Sequence, residues 1–269
     1  MPSSREKRES PSPAERIQEL ASAFKLPTVA REVCNRFMDS GHGEAMETLL
    51  EVFEMEAQDR RERRVDRLRR ASGLPPAKTF ETLNLKRLPR KLAHTLRDLA
   101  RGDFLDRAEN ILAFGLPGVG KSHAASAVGH ALVNRGRSVL YRPTFCLVQD
   151  LLVAKRDLQL PRALRKLDLF EVLILDDIGY VQQNADEVEV LFTLMAERYE
   201  RRSMIITSNL LFSQWDQIFK NPMTTAAAID RAVHHAIILE FNVKSFRAEE
   251  AEGRMQQQPG DESDDVVES

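Results

Sequence analysis

The run GLPGVGKS, Gly115 to Ser122, constrains this chain more than any other segment. An apolar stretch, Ile111 to Phe114, leads into it, and a helical run, His123 to Asn134, leads out. Two glycines with four residues between them, followed by Lys and Ser, let backbone N–H groups curl around phosphates, and the start of the helix adds the positive end of its dipole. The expectation is a phosphate-binding loop made by Gly115, Leu116, Pro117, Gly118, Val119, Gly120, Lys121, Ser122 and His123. Lys121 should reach the β- and γ-phosphates of a nucleotide, and the Ser122 hydroxyl should bind Mg²⁺.

Around this motif the chain alternates short β-rich runs with amphipathic helices. Strands are expected at Ile111 to Phe114, Val139 to Arg142, Val172 to Leu175, Met204 to Thr207 and Ile237 to Phe241. This pattern predicts an α/β domain over 78–248, with a mostly parallel five-stranded sheet flanked by helices. Ahead of it, Ala14 to Phe24, Val29 to Met38 and Gly43 to Arg70 read as helices of a small all-α region, 14–72. In the third, Met46, Leu49, Leu50, Phe53, Val65 and Leu68 recur at helical spacings. A Pro- and Ser-rich stretch, 1–13, reads as a disordered start, and Gly73-Leu74-Pro75-Pro76 opens a linker, 73–77. A length of 269 residues suits one domain with a smaller appendage. The longest apolar runs fall far short of the roughly 18 residues of a membrane span, and MPSSREKRES lacks the apolar stretch of a secretory signal. A soluble, cytoplasmic protein with no membrane partner is expected. Cys34 and Cys146 lie far apart and fit reduced, mostly buried thiols rather than a disulfide or zinc framework.

The net charge of −2 conceals two opposed segments. Residues 249–269 carry eight acids against Arg254 and read as an acidic disordered tail. Between Glu56 and Arg70, seven arginines (Arg60, Arg61, Arg63, Arg64, Arg67, Arg69 and Arg70) outnumber four acids. That strip is either a solvated, salt-bridged helix or a surface that contacts phosphates.

A nucleoside triphosphatase also needs a carboxylate at the end of a neighbouring strand, and VLILDD, Val172 to Asp177, supplies two. Asp176 is expected to hold magnesium, and Asp177 to orient and polarise the attacking water. ITSN, Ile206 to Asn209, ends a further strand, and Asn209 could bond that water or the γ-phosphate. In AAAIDRAVHH, Arg231 closes a helix just before the last strand, where it either caps carbonyls or serves the reaction. The adjacent His234 and His235 diverge on a helix and do not suggest a shared metal.

Together these motifs resemble the IstB-like members of the AAA+ ATPases, relatives of the DnaC helicase loader that serve as helper ATPases of insertion-sequence transposons. The resemblance is carried by ENILAFGLPGVGKSHAASAVGHAL, LILDDIGYV, LFTLMAERYERRSMIITSNLLFSQWDQIF, AAAIDRAVHHAIILEF and SFR, about 170 of the 269 residues. It implies a P-loop AAA+ fold that binds ATP with Mg²⁺. Residue by residue, it implies a Walker A motif at Gly115 to Ser122, a Walker B motif at Asp176 and Asp177, a sensor 1 at Asn209, an arginine finger at Arg231 and a sensor 2 at Arg247. It also implies a homo-oligomer that assembles on double-stranded DNA and recruits or stimulates a transposase. The alternatives are a helicase loader acting on single strands and a nucleotide-binding scaffold with negligible turnover. Asp177 stands where many AAA+ proteins have Glu, a carboxylate one methylene longer.

Overall fold

Five short runs rich in Val, Ile and Leu pair into one sheet in the computed structural model of the chain, which describes residues 11–180, 185–215, 218, 222–233, 236–243 and 245–246. They are β1 (Asn110–Phe114), β2 (Val139–Pro143), β3 (Val172–Asp176), β4 (Ser203–Ser208) and β5 (Ala236–Glu240). Each lies within one residue of the strand expected from the sequence. Their order is β2-β3-β4-β1-β5, and the expected mostly parallel sheet is parallel at every one of these pairings. All five strands therefore end at the same edge, which is where an open parallel sheet binds its ligands.

Helices cover both faces because both faces are apolar, as buried parallel sheets require. They are α4 (Arg90–Leu99), α5 (Lys121–Asn134), α6 (Thr144–Arg156), α7 (Leu160–Leu167), α8 (Ala185–Arg198) and α9 (Pro222–Val233). Leu112, Phe114, Leu173, Leu175, Met204 and Ile206 share one core with Leu147 of α6, Leu191 and Leu194 of α8, Ala228 of α9, and Trp215. By strand alternation the intervening residues face the opposite way, and Ile174 there meets Gly129 of α5. Helix α5 is backed in turn by α4, which buries Leu92, Ala93, Leu96 and Leu99. That spacing is helical, and the helix adds to the elements read from the sequence.

Among the described residues, Lys121, Glu187 and Arg198 are the buried charged side chains, and Arg198 is the most deeply buried. Arg198, 1% exposed at the end of α8, donates to the carbonyls of Leu167, Phe170 and Ser203 at 3.0 Å and of Glu171 at 3.4 Å. It thereby joins the segments that lead into β3 and β4. Burial pulls its pKa down to about 10, which leaves the guanidinium charged at neutral pH. Arg198→Met keeps the volume but strands these carbonyls, so unfolding in urea should reveal a loss of roughly 3 to 5 kcal/mol. A variant as stable as the parent would show that water replaces the guanidinium without cost.

The backbone divides into two compact units after Asp66. In the first, α1 (Pro13–Ala23) opens with a capping box between Ser12 and Glu15, and α2 (Pro27–Asp39) opens on Pro27. The long α3 runs Ala45–Ser72. Ile17, Cys34 and Met46 form a small core, with Leu49, Leu50 and Phe53 packed against it, so the first part of the apolar stripe expected on the third helix, Met46 to Phe53, has a partner surface. Both cysteines are free thiols; Cys34 is buried but Cys146 is exposed, correcting the expectation that both lie mostly inside. No helix among the described residues is long and apolar enough to cross a membrane.

Candidate active site

The loop from Gly115 to Gly120 leaves the carboxyl end of β1 and turns directly into α5. Gly115 adopts φ +152°, and a Cβ there would stand 2.7 Å from the Phe241 carbonyl oxygen, so only glycine fits. Gly120, in the left-handed region at φ +98°, is the N-cap of α5 and brings no side chain to its first turn. The backbone amides there are suited to an anion. Lys121 is buried, and its ammonium donates to the carbonyl oxygens of Gly115 at 2.6 Å and Leu116 at 2.8 Å. The cation is thus placed within the loop itself. The chain after β5 returns to this loop, with the Phe241 N–H donating to Phe114 O at 2.8 Å and the Phe246 N–H to Gly118 O at 3.0 Å. Arg87 stacks over the Phe246 ring at 4.1 Å. Neither Arg87 nor Phe246 stands out in the sequence as a loop contact.

At the end of β3, two strands from the loop, Asp176 accepts hydrogen bonds on both carboxylate oxygens, from Thr207 Oγ1 at 2.7 Å and from the Tyr141 hydroxyl at 2.5 Å. Asp177 follows with φ +61°, a left-handed conformation that Asp tolerates better than most residues. Its N–H donates to Thr207 Oγ1 at 2.8 Å. Its Oδ1 is buried with no partner. Burial, reinforced by the Asp176 charge, pushes the Asp177 carboxyl above its usual pKa, against the opposing pull of Lys121 and of the Gly179 N–H.

Asn209 follows β4, and its Oδ1 is likewise buried without a partner. A Cβ at Gly179 would come within 2.2 Å of that oxygen, so glycine lets the amide approach the turn after Asp177. Two acceptors buried without donors are expensive in a protein interior, and such groups mark a place for water or a ligand. Ser122 is the second residue of α5, in its first turn. The His123 ring bonds Thr82 Oγ1 at 3.0 Å and the Thr79 carbonyl at 3.1 Å, and burial lowers its pKa. It ties the helix to the segment before β1.

The edge thus brings together Gly115 to His123, Asp176, Asp177 and Asn209. Arg231 is elsewhere: its carbonyl, with that of Ala232, accepts from Asn110 Nδ2 at the start of β1. This is the opposite end of the strand, roughly 13 Å from the loop at 3.3 Å per residue. Its guanidinium stacks on Phe192 at 4.7 Å and donates to the Ala227 carbonyl at 3.2 Å. Arg247, His234 and His235 lie outside the described residues, as does the tail 249–269.

The seven arginines of α3 are all exposed. Arg60 stacks on Phe24 at 4.3 Å and pairs with Glu56 at 2.5 Å, Arg63 reaches Glu56 at 3.4 Å, and Arg61 bonds Gln58 at 3.1 Å. Arg69 donates to Asn134 of α5 at 3.1 Å. The strip is a salt-laced helix surface with its cations toward solvent, Arg64, Arg67 and Arg70 among them.

Residues 16–253 match the family described as IstB-like ATP binding protein. The chain belongs to this family. An insertion-sequence ATP-binding protein of Sinorhizobium fredii is similar to the chain, 42% identical over 240 residues that cover 88% of this IstB-like chain and 80% of that protein. AMPPCP-bound DnaA from Aquifex aeolicus is similar in structure, with a TM-score of 0.55 at 16% identity over 70% of this chain and 57% of that one. The DnaC helicase loader is also similar, with a TM-score of 0.50 at 19% identity over 56% of this chain and 89% of that one. These two likenesses are of fold: the α/β domain, with its phosphate loop after β1, shares the fold of these proteins, and the helices α1 to α3 precede it in the chain, as the sequence resemblance implied.

Proposed function

We propose that this IstB-like chain is a magnesium-dependent ATPase that assembles on double-stranded DNA with ATP and assists transposition, selecting target DNA and recruiting or stimulating a transposase. The observation that carries the reading is the convergence at one sheet edge of the loop, its buried Lys121, and the carboxylate and amide oxygens of Asp177 and Asn209 that are buried without partners. ATP would place its phosphates on the loop amides and Lys121. Ser122 and Asp176 would hold Mg²⁺, for which hard oxygen donors supplemented by phosphate and water are the usual set. Bound Mg²⁺ would neutralise phosphate charge. Asp177 would take up the attacking water and Asn209 would orient it. Arg231, remote from its own loop, would serve the nucleotide of a neighbouring copy, and Arg247 is assigned the sensor 2 role. The name of the Sinorhizobium relative supports ATP binding in an insertion-sequence setting.

The DNA part of the reading rests on the exposed arginines of α3, repeated along a polyanion by an oligomer. Duplex affinity should rise with a non-hydrolysable ATP analogue and fall steeply with salt as counterions are released. Charge reversal at Arg63, Arg64 and Arg67 should flatten the log–log slope by roughly one unit for each phosphate no longer neutralised. The measurement is duplex and single-strand affinity across a salt series. An unchanged slope would move the DNA site off α3, and a preference for single strands would favour a helicase loader.

A further inference from the structure

The Thr207 hydroxyl bridges the Asp176 carboxylate and the backbone N–H of Asp177. A backbone N–H can only donate, so the bond from Asp177 N makes Thr207 Oγ1 an acceptor, and its single proton is left for Asp176 Oδ1. The direction of both bonds is therefore set. Parallel pairing of β3 with β4 carries Thr207 to the level of Asp176, and both hydroxyl and carboxylate are held there by buried strands. From the other side, Tyr141 of β2, paired through Ile174 of β3, gives its proton to Asp176 Oδ2. Thr144, the first residue of α6, adds a bond to the Asp176 carbonyl at 3.0 Å.

We infer that Thr207 and Tyr141 are positioning residues: together they fix the Asp176 carboxylate for a hydrated divalent cation, and Thr207 alone also supports the left-handed backbone that presents Asp177. The two residues differ in reach. Tyr141 touches only Asp176, whereas Thr207 touches both, so the consequences of removing each hydroxyl separate. The inference deepens the ATPase reading and rests on it.

The test compares Thr207→Val, Thr207→Ser and Tyr141→Phe with the parent in two assays. One is binding of a fluorescent ATP analogue with and without Mg²⁺, and the other is phosphate release across a Mg²⁺ series. Tyr141→Phe should raise the half-saturating Mg²⁺ concentration several-fold with kcat at saturating Mg²⁺ near the parent value. Thr207→Val should raise it about tenfold and also lower kcat at saturation at least tenfold, with Mg²⁺-free nucleotide affinity unchanged. Thr207→Ser, which keeps the hydroxyl, should recover most of both. Circular dichroism melts identify any variant that misfolds, and the serine and phenylalanine variants decide the matter where valine does not fold. Parent-like Mg²⁺ dependence in Tyr141→Phe and Thr207→Val, or a serine variant as impaired as the valine one, overturns the inference while leaving the ATPase reading intact. A parent protein that neither binds nor turns over ATP overturns both.

Discussion

Arg231→Ala should abolish ATP turnover while leaving ATP affinity unchanged, a loss of roughly 10³- to 10⁵-fold in kcat, the range over which arginine fingers act. The argument is geometric. The Arg231 backbone is bonded to Asn110 at the start of β1, whereas the phosphate loop leaves that strand's far end, so the guanidinium cannot serve its own loop. Its stack on Phe192 of α8 and its bond to the Ala227 carbonyl hold the guanidinium in a defined position. On the proposed reading, a second copy supplies the nucleotide that Arg231 addresses. Mixing Arg231→Ala with Lys121→Ala, each inactive alone, should restore part of the activity at interfaces that combine an intact loop with an intact arginine. Hetero-oligomers shown to form but without recovered turnover would contradict action in trans.

Lys121→Ala should weaken ATP binding by roughly 100-fold, since a charge-assisted bond from a buried ammonium to phosphate contributes about 1.5 to 3 kcal/mol. The lysine is already desolvated against the Gly115 and Leu116 carbonyls, so little further ordering of the side chain is needed when phosphate arrives. Removing it should not unfold the chain, because the loop is shaped by its glycines and by the Phe246–Gly118 bond. A fluorescent ATP analogue titrated with Mg²⁺ measures the change. Equal affinities would mean that the loop is only a turn between β1 and α5.

Much of this site is readable in the chain because each contribution is local. GLPGVGKS, VLILDD and ITSN each place chemistry at the end of an apolar strand, and the strand limits follow from clusters of Val, Ile and Leu. Tyr141 and Thr207 are not readable as partners of Asp176, because they arrive from adjacent strands at separations of 35 and 31 residues and depend on register. The RYERRS segment lies within one of the stretches that carry the resemblance, yet nothing in it reveals that Arg198 is buried while Arg201 stays exposed and pairs with Asp168. Helix α4 is legible in the spacing of Leu92, Leu96 and Leu99, but no capping side chain marks its start. Cys146 shows the limit of composition: cysteines are usually buried, but this one falls on the outer side of α6.

The most direct test of ATP hydrolysis at this edge is a paired measurement of nucleotide affinity and Mg²⁺-dependent phosphate release for the parent chain and for Asp177→Asn, on the same samples with duplex DNA present. The substitution keeps the size of the side chain and removes the charge that would polarise water. The expected result is turnover by the parent and none above background by Asp177→Asn, with ATP affinities within a factor of about three. Equal turnover by the two proteins would remove Asp177 from the reaction, and tight ATP binding by a parent that releases no phosphate would identify a nucleotide-bound scaffold instead.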